Sequence, residues 1–386
     1  MTEISAEWIN RPETQAVCAM LEQAGKQALF VGGCVRNTLL EEPVADIDIS
    51  TDALPEEVMN LAEAQGLRAL PTGIEHGTVT VISGHIPHEI TTFRKDVETD
   101  GRRAVVAYSK YVDDDAHRRD FTMNAIYANR HGELVDPLNG MIDLVRRSVR
   151  FIDDPDQRIR EDFLRILRFF RFHAWYGDES HGMDPEALAA IAENLDGLDT
   201  LSNERVGSEL KKLLNAPDPS PVVAAMRATG VLTRILPGSD DKALAPLVHL
   251  EQENDVEPDP IRRLAALGDG WADRLRLSKS EIRTLDRLRE ELGSMISAEE
   301  LGYRLGEELA LDVLLMRAAV LSTPLTYTDR DDLRFAAKQV FPIKAADLMP
   351  EYRGPELGEK LKQLERFWIE SGFQLTRDQM LQDMTP

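Results

Sequence analysis

The strongest constraint on the fold is a change of texture near residue 142. Upstream of it, short apolar runs are punctuated by glycine and proline. "ALFVGGCVRNTLL" (28–40) reads as a buried strand, a glycine turn and the start of a helix. "DIDIST" (46–51) is a short alternating strand, and "TVTVISGHIPHEITTFR" (78–94) reads as two strands joined by a Gly-Pro turn. Downstream, apolar residues recur at helical spacing, as in "EDFLRILRFFRFHAWYG" (161–177), "LALDVLLMRAAVL" (309–321) and "LGEKLKQLERFWI" (357–369). At 386 residues the chain exceeds one ordinary domain. The prediction is therefore an α+β protein, with a mixed-sheet head over 1–141, a helical neck over 142–237, and a helical body and tail over 238–386. The breaks "LPGSDDKALAP" (236–246) and "EQENDVEPDP" (251–260) serve as joints.

Composition narrows the function classes. Hydrophobic residues make up 42%, enough for real cores, yet no apolar run is long enough to span a bilayer. The opening "MTEISAEWINRPETQ" has no basic stretch followed by an apolar core, so no secretory signal is expected. Cys18 and Cys34 alone cannot make a disulfide framework or a cysteine-rich metal site. A reducing, cytoplasmic setting without a membrane partner fits these features. The formal charge of −23 argues against broad, non-specific nucleic-acid binding. Positive charge is concentrated instead, with eight arginines between residues 146 and 171. A polyanion partner should meet one face only.

The stretch "VGGCVRNTLLEEPVADIDIS" (31–50) carries the sharpest chemistry. Side chains alternate along a strand, so Asp46 and Asp48 share a face, with Cα atoms about 6.5 Å apart. Two carboxylates so placed suit a divalent-metal phosphoryl-transfer site, and hard oxygen ligands select Mg²⁺. Gly32 and Gly33 let backbone N–H groups approach a phosphate, and Arg36 adds a forked donor one turn into the following helix. Singly, each feature is commonplace. In this order and spacing they point to nucleotide chemistry.

This stretch resembles the first motif of the nucleotidyltransferases related to polymerase β, in the class shared by bacterial CCA-adding enzymes and poly(A) polymerases. The usual form reads G-G-x-V-R-D followed by D-x-D, and Asn37 stands where that aspartate is usual. "RRDFTMNA" (118–125) matches the family's R-R-D-F-T-x-N-A. The resemblance implies a small polymerase β-like nucleotidyltransferase head, catalytic Asp46 and Asp48 holding Mg²⁺, and Gly33, Arg36 and Arg119 at the nucleotide. Asp120 and Asn124 are expected to hold the loop. Glu89 is a candidate third carboxylate, on a strand that could pair with the one bearing the aspartates, and an edge-strand glutamate facing water explains it nearly as well. Arg94, expected on the same strand, either meets phosphate or braces the sheet.

"REDFLRILRFFRF" (160–172) is expected to be one helix carrying Asp162, Arg165, Arg168 and Arg171 at every third position. An ordinary amphipathic helix with ion pairs would show the same stripe. The chemistry favours a sharper reading. A carboxylate accepts from cytosine N4 or adenine N6, while a guanidinium donates to cytosine N3 or adenine N1. Uracil and guanine present the reverse pattern and leave buried polar groups unpaired. This matches the E-D-x-x-R motif by which CCA-adding enzymes select CTP and then ATP. The family pattern extends to Arg168 and Arg171, at the base or the phosphates.

The resemblance implies template-independent addition of C, C and A to the 3′ end of tRNA, from CTP and ATP with release of pyrophosphate. The alternatives are a poly(A) polymerase or a partial enzyme adding only some of these nucleotides, and, in another class, a non-catalytic RNA-binding protein. Poly(A) polymerases carry a basic "GRRF"-like segment where this chain reads "TGIEHGTVTV" (72–81), which favours CCA addition. "GPELGEKLKQLERFWIESGF" (354–373) resembles the tail of CCA-adding enzymes, with Gly354 and Pro355 opening a helix whose Lys360, Lys362 and Arg366 make a basic edge. His76, His88 and His117 are expected to be scaffold. The sequence assigns no oligomeric state.

Overall fold

A computed structural model describes residues 3–100, 103–178, 180–325, 327–349 and 351–382, without the side chains of 96–100, 103–106, 327 and 328. Nine strands occur among these residues: β1 (Leu29–Val31), β2 (Asp48–Thr51), β3 (Arg68–Gly73), β4 (Thr78–Ser83), β5 (Ile86–Thr92), β6 (Arg94–Asp100), β7 (Arg103–Tyr108), β8 (Tyr127–Ala128) and β9 (Leu134–Val135). Seven form one mixed sheet in the order β3-β4-β5-β2-β1-β8-β9, while β6 and β7 pair separately. Only β2 and β5 run parallel, and their register sets Asp48 opposite Glu89.

Two details differ from the sequence reading. The β4–β5 hairpin turns on Gly84 and His85, at φ 53° and 74°, and Pro87 lies inside β5. Two residues of positive φ match the twist of the paired strands, which a Gly-Pro turn would not. Arg94 opens β6 instead of continuing the strand of Glu89, and its Nη1 donates to the His76 carbonyl.

The chain forms two compact units, Met1–Pro237 and Gly238–Pro386, so the expected head and neck belong to a single unit. In the first, Phe121, Phe151, Phe169 and Phe172 pack ring on ring, with centroids 5.0–6.3 Å apart. Phe121 is fully buried, and this anchor fixes the flanking Arg119 and Asp120. His88 is buried on Thr14, and His117 lies 2.9 Å from Asp153.

The expected single helix over 160–172 is broken. One helix spans Pro155–Glu161 and the next Leu164–Tyr176. Between them Asp162 is extended (φ −156°, ψ 104°), and its Oδ1 accepts the Leu164 N–H at 3.1 Å. Aspartate competes with the helix for backbone donors, and here it caps the new start. Asp162 therefore leaves the stripe of Arg165, Arg168 and Arg171.

The described residues of the second unit form helices joined by turns, with no strand among them. Asp259 caps Pro260–Leu267, and Ser278 with Glu281 forms a capping box on Lys279–Leu292. Gly354–Glu370 is a helix with proline in its first turn, as expected, and it buries Leu364, Trp368 and Ile369. Lys362 pairs with Glu359 on its exposed side. Glu251 is buried between Arg262 and Arg263, with N–O distances of 2.7 Å to each, and Arg262 also meets Asp312 at 2.6 Å.

Candidate active site

Gly32 is the turning point of the site. Its φ of 71° disfavours any side chain, and a Cβ there would lie 3.7 Å from Arg119 Nη1 and 3.9 Å from Asp48 Oδ2. The missing side chain lets strand β1 pass into the helix Gly33–Leu39 directly beside a carboxylate and a guanidinium. Gly33 follows, with Arg36 Nη2 3.9 Å from where its Cβ would be.

Asp48 begins β2 and Asp46 precedes it in irregular backbone, with buried Ile47 and Ile49 pointing the other way. The alternation expected for "DIDI" is present although only its second half is strand. Burial pushes the Asp48 carboxyl up to about 6, helped by the neighbouring charges of Glu89 and Asp46 and opposed by Arg119. Among the described residues no three metal-binding side chains form a ready-made cage. The donor chemistry nevertheless fits a divalent cation. A half-buried carboxylate crowded by two others carries repulsion that such an ion relieves, and all three offer hard oxygen.

Arg119 is held from one side. Its Nε donates to Asp115 (3.2 Å) and the Tyr127 hydroxyl (3.1 Å), and Nη2 donates to Asp115 Oδ2 (2.9 Å) and Ser50 (3.1 Å). Burial opposes its charge, but Asp115 more than compensates and keeps the guanidinium firmly protonated. Nη1, away from these partners, is the atom beside Gly32 and Asp48. Sequence reasoning overlooked Asp115, although its place four residues before Arg119, in the helix Val112–His117 that leads into it, was a readable signal.

Arg36 is placed differently from the expectation of a free phosphate fork. Its guanidinium stacks on Tyr176 at 4.2 Å and donates to the Tyr176 hydroxyl (2.9 Å), to Asn124 Oδ1 (2.5 Å) and to Asn37 Oδ1 (2.8 Å). Asn124 in turn donates to Asp120 at 2.9 Å, and Asp120 accepts from Arg168 Nε at 2.7 Å. A continuous polar chain thus joins the glycine turn, the "RRDFT" loop and the helix Leu164–Tyr176. Phe172 lies under both of its cations and under Arg171, with Arg36, Arg168 and Arg171 at 5.0, 5.4 and 4.7 Å from the ring centre. Nothing in the sequence pointed to Tyr176, which lies 140 positions from Arg36.

The residues expected to select the base are each paired within the protein. Arg165 donates to Glu161 at 2.6 Å and to the carbonyls of Arg158 and Arg118. Arg171 pairs with Glu209 at 2.7 Å. Asp162 Oδ2 accepts from Arg205 Nη2 at 2.7 Å, and these two side chains are 36% and 46% exposed. Glu161, the glutamate of the E-D-x-x-R motif, was given no role from the sequence, though it stands four residues before Arg165.

Residues 28–150 match the family model "Poly A polymerase head domain", and residues 182–242 match "Probable RNA and SrmB- binding site of polymerase A". The mitochondrial CCA tRNA nucleotidyltransferase 1 of Mus musculus is 33% identical over 91% of this chain and 85% of its own. The CCA-adding enzyme of Streptococcus gordonii is 32% identical over 92% of each. Among solved structures, the Bacillus stearothermophilus CCA-adding enzyme in complex with CTP is similar with a TM-score of 0.74 and 28% identity, covering 93% of this chain and 92% of that one. This level of identity over nearly the whole chain places the protein in the family of CCA-adding tRNA nucleotidyltransferases.

Proposed function

We propose that this chain adds C, C and A to the 3′ end of tRNA without a nucleic-acid template, drawing on CTP and ATP and releasing pyrophosphate. The observation that carries the reading is the meeting of Asp48, Gly32 and Arg119 Nη1 within about one side chain of each other, in a head whose relatives are CCA-adding enzymes. Asp46 and Asp48 would hold the divalent cation, for which Mg²⁺ is the assignment that carboxylate oxygen favours. That ion, when bound, lowers the pKa of the attacking hydroxyl and neutralises charge on the departing pyrophosphate.

The protein's own groups do the rest. The 3′ hydroxyl attacks the α-phosphate in line, and Arg119, protonated and braced by Asp115, offers Nη1 to the phosphate charge. Gly32 and Gly33 keep side chains out of the space the phosphates need. Asp162 and Arg165 read the Watson–Crick edge. The Asp162–Arg205 pair is exposed enough to be worth little in water. An incoming base can thus recruit the carboxylate at small cost. Glu161, by contrast, holds Arg165 in a nearly dry pair, which fixes the donor in place.

No helix among the described residues is long and apolar enough to cross a membrane. A cytoplasmic setting completes the proposal, supported by the two buried free thiols, Cys18 and Cys34.

The test offers Mg²⁺ and single nucleotides to tRNA ending before the first C, before the second C, or before A. Ordered C, C, A addition that then stops is expected. Open-ended A tails would instead make the protein a poly(A) polymerase, and incorporation of only A or only C a partial enzyme.

A further inference from the structure

The helix Gly33–Leu39 ends in a loop that must deliver Asp46 to the site. Glu41 takes φ 61°, and the Glu42 N–H returns to the Asn37 carbonyl at 2.8 Å. From Glu42 to Ile47 the backbone has no regular structure, and Glu42, Pro43, Ala45 and Asp46 are exposed. On one side the loop is unsupported. Val44, Ala45 and Asp46 border a cleft of about 430 Å³ whose far wall includes Trp8 and Arg11. Packing alone therefore does not hold Asp46.

The Asn37 side chain supplies the missing restraint. Its Oδ1 accepts from Arg36 Nε (3.2 Å) and Nη2 (2.8 Å), and its Nδ2 donates to the Pro43 carbonyl at 2.7 Å. The orientation of the amide is dictated by its neighbours, since a guanidinium only donates and a carbonyl only accepts. We infer that Asn37 is a positioning residue of the metal centre, tying the loop that carries Asp46 to the helix that carries Arg36.

Two consequences set this chain apart from the G-G-x-V-R-D pattern. An aspartate at 37 has no N–H for Pro43 and would face the carbonyl with a charged oxygen. It would also neutralise Arg36, whose hydrogen-bond partners here, Asn37, Asn124 and Tyr176, are all uncharged. The residue usual in relatives is thus the wrong one for this loop. The inference rests on the catalytic reading of Asp46, but its tether is testable without turnover.

The experiment compares wild type, Asn37→Asp and Asn37→Ala in the full chain. Hydrogen exchange of peptides covering 42–47 is followed in metal-free protein, and Mn²⁺ binding without nucleotide is followed by electron paramagnetic resonance. Loss of one hydrogen bond should speed exchange in 42–47 about tenfold in N37A, with a larger effect in N37D and several-fold weaker Mn²⁺ binding in both. Exchange elsewhere in 3–41 should stay within about twofold, which separates loop release from general unfolding. Wild-type exchange and Mn²⁺ affinity in N37D would overturn the proposal, and so would N37D binding Mn²⁺ more tightly than N37A. If N37D does not fold, N37A alone decides on the same two readouts. Absence of CMP and AMP incorporation by wild type would instead refute the catalytic reading and leave the tether intact.

Discussion

Replacing Asp120 with asparagine tests the polar chain that joins the head motifs to the arginine helix. Asp120 is 8% exposed, and every bond it makes is accepted: from Phe121 N and Asn124 Nδ2 at 2.9 Å each, and from Arg168 Nε and Nη2. Burial pushes its carboxyl up, but Arg168 and these donors outweigh burial and hold it down to about 2, against an ordinary 3.8. At about 1.4 kcal/mol per pH unit, that gap is worth about 2 kcal/mol. Asparagine keeps the shape but has one acceptor oxygen, so its NH₂ must face donors and Arg168 loses its nearest counter-charge. A total cost of about 3 kcal/mol at pH 7 is expected. The folded carboxyl titrates below the unfolded one. Its contribution is thus complete above about pH 4 and disappears as pH falls through about 2. Urea unfolding, read by hydrogen exchange in peptides 118–125 and 164–176, should show the gap between wild type and Asp120→Asn narrowing from pH 7 toward pH 3. A cost below about 1 kcal/mol at pH 7, or a gap independent of pH, would refute the argument.

Other perturbations separate the parts of the site. Asp48→Ala should lower nucleotide incorporation by more than about 100-fold, the scale on which even outer partners of a metal site act, and chelation of divalent ions should abolish activity until Mg²⁺ is restored. Asp162→Ala should reduce the preference for CTP and ATP over UTP and GTP by about 10- to 100-fold, measured as ratios of kcat/KM, while Mn²⁺ binding is retained. In the second unit, Glu251→Ala removes the buried carboxylate that Arg262 and Arg263 share, while Arg262 keeps Asp312, and should cost about 3 kcal/mol in urea unfolding. Replacing Glu251, Arg262 and Arg263 by apolar residues of similar volume, with Asp312→Asn to remove the charge that Arg262 also meets, should cost much less.

Local rules were enough for the parts of this protein that depend on neighbours in the chain. Period-2 alternation marked Asp46 and Asp48 as one face, paired glycines marked a backbone that must pass close to charged groups, and helical spacing marked the second half. Helix starts at Asp154, Asp259 and Ser278 also follow local chemistry, Asp-Pro and Ser-x-x-Glu, although the sequence reading drew no helix start from them. Packing decided which charges meet. Asp162 looked like a helical residue because the run around it is apolar at the right period, yet its side chain wins the Leu164 N–H and ends the helix. Arg36, Arg165, Arg168 and Arg171 looked alike as long cations, and only folding shows each engaged, by Tyr176 and Asn124, Glu161, Asp120 and Glu209 respectively. The register of the one parallel pair set Glu89 beside Asp48, from a strand forty residues away. Periodicity and backbone conformation follow from interactions spanning a few residues, whereas the partner of a buried charge is whichever donor or acceptor the chain brings within 3 Å from any distance along it.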